Sequence, residues 1–427
     1  MAAHKKNAFY AQSGGVTAAI NSSACGLIET ARKHGIKVYA GKNGIIGALT
    51  EDLIDTSKES IKDIAKLRHT PGGAFGSCRY KLKSLEQNRA EYERLIEVFA
   101  AHNIGYFFYN GGGDSHDTIH KISQVSEAMG YSLVCIGIPK TIDNDLPFTD
   151  TCPGFGSVAK YIATSIREVG CDLISMAAPS STVKSSTKIF VLETMGRNAG
   201  WIAAASGLAT EEACDPPHII LFPEIPFDEE KFLIKVEHCV KNYSCCAVVV
   251  SEGLQNIDGQ FLSDVGCIDA FGHVQLGGVA PIIAKLIRHK LGYKYHWAVS
   301  DYLQRSARHI ASKTDLKQAY DLGAAAVKYA LQGKNNIMTI IMRKSDKPYR
   351  WTIGWVDLTD VANVEKKMPR DFITPDSFHI TNKCRKYLTP LIQGEDPPPF
   401  KNGLPQFVKL KNILVTKKLK EGFTFKK

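Results

Sequence analysis

Residues 105–145 read GYFFYNGGGDSHDTIHKISQVSEAMGYSLVCIGIPKTIDND. An apolar, aromatic run, Tyr106 to Tyr109, breaks into three glycines, a carboxylate and a serine, and a helix-like segment follows. The order is strand, glycine turn, helix start. Glycines let backbone N–H groups approach an anion closely, and the first turn of a helix adds unpaired donors and the positive end of a dipole. A second strand, Ser132 to Ile138, carries Lys140, Thr141, Asp143 and Asp145 at its far end, where parallel α/β sheets gather their active sites. An ordinary loop explains either half alone. Together, about one βαβ unit apart and with a lysine fused to TIDND, they point to phosphate chemistry.

The flanking sequence repeats this logic. Ala8 to Ala11 is apolar and ends in Ser13-Gly14-Gly15, before a small-residue helix expected from Thr17 to about His34, so a second cradle can face the first. After a helical segment near Ser57 to Lys66, PGGAFGSCRYKL places Arg79 near Gly76 with Lys81 and Lys83 alongside, and a helix is expected from Ser84 to His102. A forked guanidinium and two ammonium groups suit a phosphate; a solvated basic loop is the plain alternative. A helix from about Val158 to Gly170 reads as the crossing into a second lobe, followed by a mobile loop at Ser175 to Thr187. Strand Lys188 to Leu192 then leads into Met195-Gly196-Arg197, and NAGWIAAASGLA should begin a helix at once. Strand Cys245 to Val250 ends in Ser251-Glu252-Gly253, where Glu252 can bind hydroxyls or cap the turn. In SDYLQRSARHIAS, Tyr302, Gln304, Arg305, Arg308 and His309 crowd together, as they also would on the basic face of a helix. A helix from Asp315 to Leu331 and a strand from Asn336 to Met342 precede a proline-bearing region that ends in DPPPFKNGLP; Pro397 to Pro399 and the lysines beyond read as a poorly structured or surface-draped extension.

At 427 residues, 44% hydrophobic and 22% charged, the chain can build two or three domains of an ordinary globular enzyme. No run of eighteen apolar residues occurs, so no membrane partner is expected and a cytoplasmic location is. The eleven cysteines are scattered, without CxxC pairs or metal-ligand spacing, and read as reduced thiols. The net charge of +10 comes from a lysine-rich C-terminal end and from arginines set singly at turns. That distribution suits phosphorylated metabolites and lacks the basic, aromatic-interleaved stripe of a nucleic-acid groove.

Gly111 to Ser115 (GGGDS), Pro139 to Asp145 (PKTIDND) and Leu192 to Arg197 (LETMGR) resemble, in this order, the motifs of the 6-phosphofructokinases, and Lys140 resembles the pyrophosphate-dependent branch. The resemblance spans about Ala8 to Ala325. It implies an α/β fold of two Rossmann-like three-layer lobes with the active site in the crevice between them. It further implies transfer of a phosphoryl group to the 1-hydroxyl of fructose 6-phosphate, with Mg2+. On that basis Asp143 is the expected base, Thr141 touches the transferred group, Lys140 serves the chemistry and Asp145 helps hold hydrated magnesium. The donor residues would be Gly14, Gly15, Arg79, Gly113, Asp114, Ser115 and Lys140. The sugar phosphate would meet Thr141, Asp143, Met195, Gly196, Arg197, Glu252, Tyr302 and Arg305. ATP-dependent members resemble GGDGS and PGTIDND; a carboxylate at Asp114 would obstruct an α-phosphate, and Lys140 can neutralise pyrophosphate as it splits.

Three positions depart from the family pattern. Gly113 stands where relatives carry a magnesium-contacting aspartate, so it is a metal position by motif only. Lys188 replaces an arginine that a neighbouring subunit supplies in many relatives. GHVQLGG has Leu276 where arginine belongs, which makes YLQR the expected phosphate site and leaves His273 structural. A donor lobe of residues 1–152 plus about 307–375, a sugar lobe of 153–306 and an extension of about 376–427 follow, assembled as a homodimer or homotetramer without expected allosteric control. An ATP-dependent enzyme and a non-catalytic family subunit are the alternatives; the latter should have lost Asp143.

Overall fold

The computed structural model describes residues 6–80, 82, 85–177, 186–263, 276–362 and 364–425. Twelve of its strands, in chain order, build two sheets. They are β1 (Asn7–Ser13), β2 (Val38–Gly41), β3 (Leu53–Asp55), β4 (Ser77–Cys78), β5 (Ile104–Gly111), β6 (Val134–Pro139), β7 (Thr187–Thr194), β8 (Ile219–Leu221), β9 (Cys246–Ser251), β10 (Lys294–Val299), β11 (Ile337–Asp346) and β12 (Tyr349–Asp357). The first sheet runs β12-β11-β6-β5-β1-β2-β3, with β4 also pairing β1; the second runs β10-β7-β9-β8 and is parallel throughout. Strands covered by helices on both faces need continuous apolar sequence rather than alternation. CAVVVS in β9 is buried at every position for that reason.

Strand order explains where the ends converge. From β1 the chain moves outward to β2, whereas from β5 it moves the other way to β6, so the hydrogen-bonded neighbours β1 and β5 flank a switch point. Gly14-Gly15 and Gly111 to Ser115 leave the sheet there, side by side. In the second sheet Thr194 of β7 pairs with Ser251 of β9, which brings the Met195–Arg197 turn next to Glu252.

The lobes are joined by a 22-residue helix, Phe155–Met176. Its opening donors are met by the buried Asp315 carboxylate, which accepts from Gly154 N (2.9 Å), Ser157 N (3.0 Å) and the Ser157 hydroxyl. Asp315 lies in the first turn of helix Lys313–Leu331, itself capped by the Ser312 side chain. That helix crosses Ile20–Lys33 so closely that a Cβ on Gly323 would fall 2.0 Å from Ser23 O, and one on Gly26 2.2 Å from Tyr320 O.

Several boundaries differ from the sequence reading. The helix expected from Thr17 starts at Ile20, the one expected from Ser84 at Arg89, and the crossing helix continues to Met176, past the start of the expected loop. The helix expected directly after Arg197 starts at Trp201, because Gly196 (φ 128°) first turns the chain back toward Ala199. The strand expected to end at Met342 runs on to Asp346 and pairs antiparallel with the edge strand β12. The stretch expected as a C-terminal extension includes a packed helix. Cys384 and Leu388 of helix Asn382–Leu388 are fully buried beside Trp201 and Phe372. Beyond it, the tail follows the free edge of β3, with Asp55 N bonded to Ile413 O and Val415 N to Leu53 O, and Glu51 accepts from the backbone of Lys418 and Leu419. The last part of the extension is surface-draped, as read.

Leucine at Gly323 should overpack the helix crossing and lower stability by about 1–3 kcal/mol. Thermal or denaturant unfolding of Gly323→Leu measures this, and an unchanged midpoint would mean that the two helices do not meet at these glycines.

Candidate active site

The carboxyl ends of β1, β5 and β6 and the two turns of the second lobe enclose a cavity of about 270 Å³. The second cradle runs into a helix start without a side-chain cap at Gly113, and Gly113, Asp114 and Ser115 of its first turn line the cavity; the helix after the first cradle starts at Ile20, beyond the lining residues Ser13 to Val16. The loop of Arg79 is tied to the first cradle through Gly14 N to Cys78 O (3.0 Å) and the Ser77 hydroxyl to Gly14 O (2.7 Å). Behind the second cradle, buried His116 donates from Nδ1 to Gly112 O at 2.7 Å. Burial pulls its pKa down to about 4, so it supports the turn as a neutral ring.

Lys140 sits between the cradles. Its backbone N–H bonds Gly111 O (3.0 Å) and its ammonium donates to Gly15 O (2.7 Å), so one residue touches both turns. Burial, with Arg305 and Arg79 adding like charge, pulls the ammonium down to about 8 against the counter-effect of Asp143 and Asp145. Beside it, the Asp143 carboxyl is pushed up to about 7, first by burial and then by Asp145 and Glu252; Lys140 and Arg197 offset part of this. Asp145 is also raised by burial, with a hydrogen bond from the Thr141 hydroxyl acting the other way. The same hydroxyl oxygen accepts the Asp143 backbone N–H at 3.0 Å, which fixes the loop between the two acids. Across the cavity, Glu252 accepts from Gly196 N (3.2 Å), and burial raises its pKa too.

The structure places Gly14, Gly15, Arg79, Gly113, Asp114, Ser115, Lys140, Thr141, Asp143, Asp145, Met195, Arg197, Glu252 and Arg305 on this one cavity. Gly196 contributes its backbone bond to Glu252. Tyr302 lines a neighbouring cavity of about 260 Å³ with Leu276 and the other side of Glu252, and its ring lies under the Arg305 guanidinium at 3.7 Å. Arg305 itself reaches across: a Cβ on Gly15 would stand 2.7 Å from one of its terminal nitrogens. Lys188 is buried near the start of β7, at the end of the strand opposite Met195, away from this cavity. Arg308 is buried too, but on Asp396 and His69 rather than in the site. Lys81, Lys83, Gly272 and His273 lie outside the described residues. Asn198, Glu365, Lys366 and Lys367 also line the cavity and escape a reading of motifs. Their one signal is the EKK run at 365–367, far along the chain from every glycine turn.

The oxygen donors fit a magnesium ion only in part. Among the described residues no cluster of three or more His, Cys, Asp or Glu side chains could hold a metal. Asp145 nevertheless has a buried carboxylate oxygen without a hydrogen-bond partner, and hard carboxylate oxygens are suited to an ion that keeps most of its ligands as water and substrate phosphate. Gly113 brings no side chain and has open space at its Cα.

Residues 7–330 match the family described as phosphofructokinase. The chain belongs to the phosphofructokinase family. Among similar phosphofructokinases, the pyrophosphate–fructose 6-phosphate 1-phosphotransferase of Methylococcus capsulatus is 63% identical, over 98% of this chain and 99% of its own. That of Halomonas elongata is 63% identical over 99% of each chain. A crystal structure of the pyrophosphate-dependent phosphofructokinase from Marinobacter aquaeolei superposes with a TM-score of 0.89 at 60% identity, covering 99% of this chain and all of that one. The two-lobed α/β architecture is thus the phosphofructokinase fold.

A base must be ionised to accept a proton, and an ammonium must be protonated to neutralise a phosphate. If Asp143 and Lys140 act in these roles, kcat/KM should rise with pH through about 7 and fall above about 8. A pH–rate profile measures this, and a flat response from pH 6 to 9 would remove both groups from those roles.

Proposed function

We propose that this chain transfers a phosphoryl group from pyrophosphate to the 1-hydroxyl of fructose 6-phosphate, giving fructose 1,6-bisphosphate and phosphate. The reaction is reversible and serves glycolysis and gluconeogenesis. The observation that carries this reading is the Lys140 ammonium, bonded to Gly15 O between the two cradles with Asp114 in the same wall. Pyrophosphate needs a compact, cation-rich socket; ATP needs room for an α-phosphate and a nucleoside, which a carboxylate at Asp114 opposes.

Pyrophosphate is held by the Gly14-Gly15 and Gly113 to Ser115 turns, Arg79 and Lys140. The sugar phosphate is held by Arg197, Arg305 and Tyr302, with Glu252 on its hydroxyls and the Met195-Gly196 backbone alongside. Arg305, lying against both Gly15 and Tyr302, is suited to follow the phosphates from either side. A carboxylate with a pKa near 7 is matched to taking a hydroxyl proton at neutral pH, and Asp143 receives it as the sugar oxygen attacks the terminal phosphorus. Lys140 neutralises the charge that grows on the departing phosphate, with Thr141 beside the transferred group. When bound, Mg2+ would neutralise phosphate oxygens, and Asp145 would be the side chain that holds it. No helix among the described residues is long and apolar enough to cross a membrane. The reading includes a cytoplasmic location and a homodimer or homotetramer, with no nucleic-acid partner.

Purified protein with Mg2+ and fructose 6-phosphate should consume pyrophosphate and ignore ATP. Turnover with ATP alone would sink the proposal. Asp143→Asn should lower kcat by about a hundredfold or more with little change in sugar affinity. Near-normal turnover in that variant would mean that another group takes the proton.

A further inference from the structure

The loop that carries Asp143 and Asp145 holds two residues in the left-handed backbone region, Asn144 at φ 54° and Phe148 at φ 63°. Such positions persist only where their surroundings over-determine them. Tyr387, Arg343 and the Ile341 backbone bond Asn144, Thr149 and Asp150, and one further distant side chain gathers three of the loop's acceptors at once. The Lys366 ammonium donates to Asn144 Oδ1 (3.1 Å), Thr149 O (3.1 Å) and Asp150 O (3.2 Å), three acceptors for the three donors an ammonium has. Its own backbone N–H donates to Asp145 O at 2.6 Å.

The same dipeptide also grips the other lobe. Lys366 O accepts from Trp201 Nε1 (3.4 Å), and the Glu365 carboxylate accepts from Asn198 Nδ2 (3.2 Å), next to Arg197. Residues 365 and 366 therefore bond on one side to the loop with the two acids and on the other to the turn that faces the sugar phosphate. They lie beyond residue 330, where the family match ends.

We propose that Lys366 is a positioning residue for phosphoryl transfer: its ammonium holds the strained 144–150 loop in place, and with Glu365 it staples that loop to the Arg197 turn across the crevice. The proposal rests on the reaction proposed above, and one arm of its test needs no substrate. Breaking the staple moves the Asp143 carboxylate relative to the sugar, while the pyrophosphate cradles, which Lys366 does not touch, stay formed. Loss should thus fall on kcat rather than on pyrophosphate binding.

The test compares wild type, Lys366→Met, Lys366→Arg and Glu365→Ala, by steady-state kinetics and by amide hydrogen exchange without ligands. In Lys366→Met, exchange should quicken about tenfold or more within residues 144–151 and stay unchanged in 111–116. Its kcat should fall at least tenfold, with the KM for pyrophosphate within about twofold. Lys366→Arg, which keeps a charged donor group, should recover part of both. Glu365→Ala should raise the KM for fructose 6-phosphate several-fold, because the Arg197 turn loses its tie. Where Lys366→Met does not fold, Lys366→Gln, with an amide in place of the ammonium, takes the same measurements. Wild-type exchange at 144–151, or acceleration spread evenly over the whole chain, would overturn the staple. So would a kcat within threefold of wild type despite a loosened loop. If wild type fails to turn over pyrophosphate but the exchange pattern holds, the reaction assignment fails while the staple stands.

Discussion

The ammonium of Lys140 is the group around which the crevice is balanced. A buried cation is costly unless opposite charge and hydrogen-bond acceptors lie close by, and buried carboxylates are costly for the mirror reason. Gly15 O, Asp143 and Asp145 meet the lysine's need, and the lysine in turn lowers the cost of keeping two acids side by side. Neither set is stable there without the other. The balance is incomplete: Asp143 remains above the normal carboxylate range and Lys140 below the normal ammonium range, which leaves both able to exchange charge with a phosphorylated substrate near neutral pH.

That arrangement depends on the backbone. Two neighbouring strands whose chains depart in opposite directions open a gap that no connection crosses, and both glycine turns fall into it. The second lobe sets its own pair of strand ends opposite, at a separation governed by the Phe155–Met176 helix. Its N-terminus is fixed by Asp315, so the angle between the lobes is tied to the helix that covers the first sheet.

What was legible in the sequence follows from this geometry. GGGDS, PKTIDND and LETMGR could be read because each lies immediately after a short apolar strand, so local pattern alone predicts that it emerges at a sheet's carboxyl edge. Lys366 could not. It follows no strand end or glycine turn, and its partners Asn144 and Asp150 are more than two hundred positions away. Arg305 was read as a sugar-phosphate ligand from YLQR, but its reach to Gly15 depends on the closeness of the lobes, which no motif encodes. The β12 strand was not read from the sequence, although YRWTIGWVD carries the partial alternation of an edge strand. Gly196 illustrates a subtler error: NAGWIAAASGLA has the composition of a helix, yet the turn back to Ala199 delays its start and frees Arg197 to face the cavity.

The tail along β3 has a consequence for how the molecule is made. A sheet edge with unpaired N–H and C=O groups is a template for another chain, and here the cover for that edge is drawn from residues that follow it by more than three hundred positions. The β3 edge is therefore synthesised long before its cover exists. Until Ile413 has emerged it stands open, and chains released short of that residue expose it permanently. Such fragments would carry nearly all of the catalytic machinery together with a surface that recruits other chains.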